Sequence, residues 1–434
     1  MEKGKGVMRN EPCAGGAAVT SSLLAGVTAC VVGLFGTSGW CQTYTFTLLP
    51  SNVDNTSFKA LARGVSGNGN VIVGSDNTFL DAREKPYVWQ RVAGVWTRSE
   101  LPTVGGTGRA TAASFDGSVI VGSTGSYAVN TVNAGTPAVW RNAATPSPTL
   151  EAPFLTASSI GGPLRGIFNG VSASGTRAFG FAREISDLTA SSAYIYDEGS
   201  APLAVASFAQ ATGAYPASST MSADGSLATH FIQPGTVGGN NTAFLWSEAT
   251  GSTNLPLNTS SLYARTTTTS GDGRVVAGFL AGIGSIANTS GQPVIWRDGV
   301  FSQLARPNNA INALVAGSDT TGRVLVGTAG NNLDLVNFTT NIGLVNNTFA
   351  AIWIDGQAFS LATYLTSNGV NLGTLTPILA SGISADGRTV VGVATRPIGT
   401  TTQREYVSFV ATIPTPGTLF GMSLWVAFAA RRRR

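Results

Sequence analysis

The chain has 434 residues, of which 54 are glycine and 19 proline while only 11% are charged, a composition of strands and turns rather than of long amphipathic helices. Its formal charge of +4 sits at the ends: apart from Lys3, Lys5, Arg9, Glu2 and Glu11 at the front and Arg431, Arg432, Arg433 and Arg434 at the back, 19 basic and 20 acidic residues remain. A near-neutral body without a basic run lacks the electrostatic footprint that phosphate binding needs, so nucleic acid is not an expected partner.

The first element in chain order is an address. Lys3, Lys5 and Arg9 precede the apolar stretch Ala17 to Gly36, and polar Gln42 and Thr43 follow. That order matches the charged and apolar regions of a secretory signal peptide spanning 1–41, with cleavage near Cys41 and small Gly39 close before it. Two other readings stay open: a lipobox-like Val27-Thr28-Ala29-Cys30, and a retained membrane anchor. Cys13, Cys30 and Cys41 all fall in this segment, so the body has no disulfide, thiolate metal site or cysteine nucleophile.

Residues 42–413 repeat. A serine-rich turn closing on glycine recurs at Gly69, Gly117, Gly175, Gly225, Gly273, Gly322 and Gly387, at intervals of 48, 58, 50, 48, 49 and 65 residues. A second glycine follows five residues later at Gly74, Gly122, Gly180, Gly278, Gly327 and Gly392, with His230 in its place in the fourth unit. An aromatic then ends a short apolar run at Trp89, Trp140, Tyr196, Trp246, Trp296, Trp353 and Phe409. Asp-Gly or its equivalent between β-branched runs is a hairpin signal. The aromatic run makes a third strand and the segment after it, such as VWTRSEL or AFSLATYL, a weaker fourth.

Four short strands in about 50 residues match one blade of a β-propeller. The opening segment Thr43 to Leu49 has the phase of a fourth strand without its first three, and the seventh unit stops at its third strand. Joining the two completes a seventh blade and removes two open sheet edges. The expected fold is therefore all-β, a seven-bladed β-propeller, flanked by an N-terminal signal helix and a short C-terminal apolar helix. A linear β-solenoid of seven repeats is the alternative. The unit resembles the extracellular HAF-type repeats of bacterial surface proteins, although the His-Ala-Phe element survives only in echoes such as Thr242-Ala243-Phe244. That resemblance implies an exterior location and no established chemistry.

Residues 414–434 form the last element: Pro414-Thr415-Pro416, fourteen largely apolar residues from Gly417 to Ala430, then the four arginines. The apolar run is short of the roughly 20 residues of a stable span, and the arginines favour the cytoplasmic side. The order resembles the PEP-CTERM sorting signal of Gram-negative bacteria, with Thr415 in place of the family's central Glu. It implies a sorting transpeptidase of exosortase type, or a variant of it, acting after the secretion translocon. A tail that stays as a membrane anchor also fits. Either way the protein is expected outside, at the cell surface or in the medium, held by its C-terminal helix transiently or permanently.

Chemistry is sparse. A single histidine, His230, excludes multi-His metal sites and His-dependent triads. Because it replaces a glycine it is a possible channel residue. Asp116, Asp224, Asp272 and Asp386 sit at equivalent turns, where self-capping explains them better than calcium. The recurring Trp positions read as core rather than as a sugar-stacking platform. No catalytic residue, cofactor or metal is expected. The irregular inserts Glu151 to Arg165 and Asn331 to Asn347 are the candidate contact loops. Two functions follow: a non-enzymatic surface or matrix protein that presents loops to glycan or protein partners, and an extracellular propeller enzyme that acts on polysaccharide through paired carboxylates. Acidic residues clustered at one mouth of the ring distinguish the second from the first.

Overall fold

The computed structural model describes residues 43–51, 60–76, 84–125, 135–143, 145, 148–153, 164–184, 191–208, 215–233, 243–257, 262–282, 291–331, 348–398 and 404–414. The chain divides into Met1–Cys41 and Gln42–Arg434. The first unit, with the expected signal peptide, lies outside the described residues, as does the C-terminal tail beyond Pro414.

Gln42–Arg434 holds seven four-stranded antiparallel sheets. Blades 1 to 6 span 60–100, 108–151, 164–208, 215–254, 262–303 and 312–360 in sequence order, and blade 7 combines 376–412 with the opening strand Thr45–Leu48. The first strand of each blade packs on the blade before it, and that of blade 1 on blade 7. The chain is therefore a closed seven-bladed β-propeller. Closure is double. Thr45–Leu48 pairs with Arg404–Thr412, Thr45 opposite Thr412 and Leu48 opposite Phe409, which excludes the solenoid. A belt of backbone hydrogen bonds also joins the serine turns, each donating to the next. Asn68 N donates to Phe115 O, Phe115 N to Ala173 O, Ala173 N to Ala223 O and Ala223 N to Gly271 O. Asp272 N donates to Thr320 O, Thr320 N to Ala385 O, and Ala385 N returns to Gly67 O, at 2.6–3.0 Å.

The repeated residues have separable physical roles. In the blade 2 turn, Ser114 Oγ accepts from Val119 N at 3.1 Å and donates to Asp116 Oδ1 at 2.8 Å, Asp116 Oδ1 accepts from Ser118 N at 2.9 Å, and Gly117 takes φ +77°. The second glycine answers a close approach. A Cβ on Gly122 would stand 1.9 Å from Arg109 O, and the other five of the set are as crowded by a first-strand carbonyl. Beside that contact every first strand carries a one-residue bulge, which bends it around the channel.

The aromatic landmark is a latch between blades. Trp89, Trp140, Trp296 and Trp353 are at most 1% exposed. Their indole Nε1 atoms donate to Pro50 O, Pro102 O, Pro256 O and Ala305 O at 2.7–2.9 Å, in each case just beyond the fourth strand of the preceding blade. The residue before each acceptor, Leu49, Leu101, Leu255 or Leu304, is buried. Burying the ring while satisfying its one donor is what makes Trp the fitting residue here.

Two sequence expectations need correction in blades 6 and 7. Trp89 pairs with Ile72, two residues before Gly74, but Phe409 pairs with Gly392 itself and Ala411 holds the Trp position opposite Val390. Phe409 instead stacks on Phe46 of the closing strand, with centroids 4.8 Å apart. The AFSLATYL segment is only half strand: Gln357–Ser360 completes blade 6, and Leu361–Ser367 is an α-helix, α1, with Ser360 as N-cap. Leu361 and Leu365 of α1 are fully buried in the cluster that holds Phe409 and Ala411, so α1 fills the volume that Ala411 leaves.

Candidate functional site

Antiparallel order puts the first-to-second and third-to-fourth strand turns of every blade on one face. The second-to-third strand connections and the links between blades lie on the other. The turn face is closed by short turns. The opposite face receives the longest connections, including both inserts: 151–165 links blades 2 and 3, and 331–347 joins the second and third strands of blade 6. Most of both inserts lies outside the described residues.

In the central channel a cavity of about 240 Å³ opens, lined by the first strands of all seven blades. Bulge residues Arg63, Thr111, Asn169, Thr267, Ala316 and Ser381 line it. The hydroxyls of Thr111, Thr267 and Ser381 donate across to Phe168 O, Val315 O and Ala62 O at 2.5–2.8 Å, so much of the polar wall ties blades together. Among the described lining residues only Arg63 and Asp319 are ionisable. Asp319 replaces the turn serine of blade 6, and its Oδ1 accepts from Arg323 N and Val324 N. Burial raises its carboxyl above the usual range against those bonds. Phe115 stands at the turn-face mouth, half exposed, over Gly67.

Arg63 belongs to a buried ionic cluster between blades 1 and 2. Glu84 takes a bidentate pair from Arg109, at 2.8 and 2.7 Å, and a longer contact from Arg63 at 3.3 Å; Ser75 Oγ donates to the same carboxylate. Burial works to raise Glu84, but Arg109 and Arg63 outweigh it and hold the carboxyl below its usual value. Burial, with Arg109 alongside, lowers Arg63 to about 10. Such a cluster is a structural tie whose loss of one partner is costly. It went unread in the sequence, because Glu84 and Arg109 share no motif.

His230 is 0% exposed and is not among the channel-lining residues. Its ring lies flat on Phe244, its cross-strand partner, at 4.9 Å and 3°. Burial lowers its pKa to about 4. The ladder beside it loses one pair: blade 4 resumes at Met221 opposite Ala228, where the other blades resume one position earlier. Asp116, Asp224, Asp272 and Asp386 each accept from their turn serine and from a backbone N–H two residues on, at 2.6–3.0 Å. One carboxylate oxygen of each, Oδ1, is committed to its turn, and among the described residues no three His, Cys, Asp or Glu side chains gather at metal-ligand range. Of the sorting motif, Pro414 is the last described residue. Thr415, Pro416 and Arg431 to Arg434 lie outside, and no helix among the described residues is long and apolar enough to cross a membrane.

Arginines supply a further recurrent feature on the turn face. Arg141 of blade 2 donates to Gly175 O of blade 3 at 3.3 Å, Arg177 of blade 3 to Gly225 O of blade 4 at 3.3 Å, and Arg297 of blade 5 to Gly322 O of blade 6 at 3.1 Å. An acid on the receiving blade accompanies the first two: Glu198 at 3.3 Å from Arg141 and Glu248 at 2.5 Å from Arg177. The signal for these clamps was the basic residue next to the aromatic landmark in Trp140-Arg141 and Trp296-Arg297.

These features define the class: a closed propeller whose described polar groups serve turns and strand pairs within blades and the junctions between them. No protein-family model matches the chain, and no curated protein matches it in sequence. Among solved structures it is similar to an oligogalacturonate lyase in complex with manganese, at 11% identity and a TM-score of 0.51, over 86% of this chain and 96% of that one. A Pyrococcus horikoshii acylaminoacyl peptidase is 14% identical with a TM-score of 0.45, over 84% of this chain and 54% of its own. The likeness to the lyase concerns the fold alone.

Proposed function

We propose that this protein is an exported, non-enzymatic surface propeller that presents the loops of one face to glycan or protein partners. In this reading the segment 1–41 passes the chain to the secretion translocon. An exosortase-type transpeptidase, or a variant that accepts Thr415, acts on the tail of 414–434, or the tail remains as the anchor. One observation carries the proposal: both irregular inserts fall on the face opposite the short turns, while among the described channel-lining residues only Arg63 and Asp319 are ionisable, each already engaged. A rigid ring with variable connections on one side is a presenting scaffold.

The test has two arms. Intact-mass analysis of surface and medium fractions from the native host is expected to give a product beginning near Gln42; a product that keeps Met1 overturns export by cleavage. Binding to host-surface polysaccharide is then compared for the whole protein and for variants with 154–162 or 332–347 shortened. Loss of binding in either variant supports loop presentation. Depolymerisation of the glycan by the intact protein overturns it and favours the carboxylate-based polysaccharide enzyme.

A further inference from the structure

The junction between blades 4 and 5 lacks the arginine that its neighbours have. The two positions that supply clamps elsewhere are Leu227, equivalent to Arg177, and Ser247, equivalent to Arg141 and Arg297, by their shared register. Ser247 Oγ turns into its own turn, 2.7 Å from Thr250 Oγ1. A cavity of about 270 Å³ is left at the junction. Leu227, Leu245, Val276 and Trp296 give it apolar lining, and Gly273, Arg274 and Asp298 line it beside them. The receiving half of the clamp is thus retained: Gly273 is the turn glycine of blade 5, and Asp298 occupies the place of Glu198 and Glu248 in the third-to-fourth strand turn.

We infer that this slot is a binding site for an arginine side chain of a partner polypeptide. The guanidinium donates to Gly273 O and faces the Asp298 carboxylate, while its methylene stem lies along Leu227, Leu245 and Trp296. The template is the protein's own repetition of the contact at three other junctions. Asp298 is already paired with Arg274 at 2.8 Å, but that does not block the slot. In blade 6 the equivalent pair, Arg323 with Asp355 at 2.8 and 2.9 Å, coexists with Arg297 on Gly322 O, and Arg297 also acts on Asp355. Asp272, Asp298 and Arg274 all line the slot, which leaves it one net negative charge and favours a positive guest over a neutral one. The site lies on the turn face and is independent of whatever the opposite face presents.

The experiment uses the full-length protein with labelled Leu and Val methyl groups, titrated with acetyl-Gly-Arg-Gly-amide and with its lysine and citrulline counterparts. The arginine peptide is expected to shift the methyl signals of Leu227, Leu245 and Val276, and the citrulline peptide to bind about tenfold more weakly for want of charge. Ser247→Arg supplies the missing clamp from within, so it is expected to abolish peptide binding and to raise Tm. Asp298→Asn keeps the fold if Ser247→Arg does not, and is expected to weaken binding several-fold. No shift at these methyls up to the peptide's solubility limit overturns the inference. So does equal affinity for the lysine or citrulline peptide, or unchanged binding in folded Ser247→Arg or in Asp298→Asn.

Discussion

Gly122→Ala isolates the cost of one methyl group at the tightest point of a blade. The added Cβ would lie 1.9 Å from Arg109 O, with Arg109 C at 2.9 Å and Ala110 Cα at 3.0 Å. Ordinary contact begins near 3.4 Å, so two backbone segments must part by about 1.5 Å. No rotamer relieves this, since all three atoms are main chain. Separation at that point breaks the pairing of Ala110 with Gly122 and strains that of Arg109 with Ser123, which puts the loss at about 3 kcal/mol or more. Gly94→Ala is the control. Its φ is +84° and nothing lies within 4 Å of the added atom, so only the left-handed backbone is penalised, at about 1–2 kcal/mol. Urea unfolding of both variants, followed by far-UV circular dichroism, reads the difference. A Gly122→Ala midpoint equal to or above that of Gly94→Ala would refute the close-approach account.

Three further outcomes are expected. Trp140→Phe removes the bond to Pro102 O and part of a fully buried ring, and should cost about 3 kcal/mol in urea unfolding. Glu84→Gln leaves Arg63 and Arg109 facing a neutral group and should cost about 3–5 kcal/mol, whereas Glu100→Gln, which breaks only the exposed pair with Lys85, should cost under about 1 kcal/mol; equal midpoints would sink the distinction. His230 titrates near 4 when folded against an ordinary 6.5. On acidification the unfolded chain therefore takes up its proton first, and stability falls as pH drops from about 6.5 to about 4, by up to about 3 kcal/mol. His230→Phe should flatten that slope relative to the parent, and an unchanged slope would show that His230 is not its source.

The period, the blade count and the closing strand were legible in the sequence because each rests on local chemistry repeated in phase. Ser-x-Asp-Gly makes a turn wherever it stands, and the phase of Thr43 to Leu49 relative to YVSF left one arrangement that closes. The misreading of Phe409 has the same origin. Spacing from the turn glycine is blind to a shift of two residues within a strand, and only the pairing with Gly392 exposes it. The helix α1 was hidden because LATYL is as apolar as a fourth strand, and its role is to fill a gap whose existence depends on Ala411, fifty residues away. The clamps, whose only signal was a basic residue beside the aromatic landmark, and the Glu84 cluster, which had none, went unread for a related reason. Each joins residues on neighbouring blades, so its meaning appears only when one blade is laid against the next. His230 stood out correctly as the exception to a glycine set, but whether such a residue faces the channel or the sheet interior is decided by side-chain packing, here against Phe244.

The strand that closes the ring is the first to be made and the last to find its place. Thr45–Leu48 must wait for Arg404–Thr412, which lies some 360 residues later in the chain. During synthesis each completed blade can dock on its predecessor, yet blade 1 keeps one flank bare until blade 7 arrives. A chain cut short before residue 404 has no partner for its opening strand and carries two unpaired edges into solution, where they seek other chains. The geometry of closure thus doubles as a check on the propeller itself: a sealed ring requires every blade between Thr45 and Thr412.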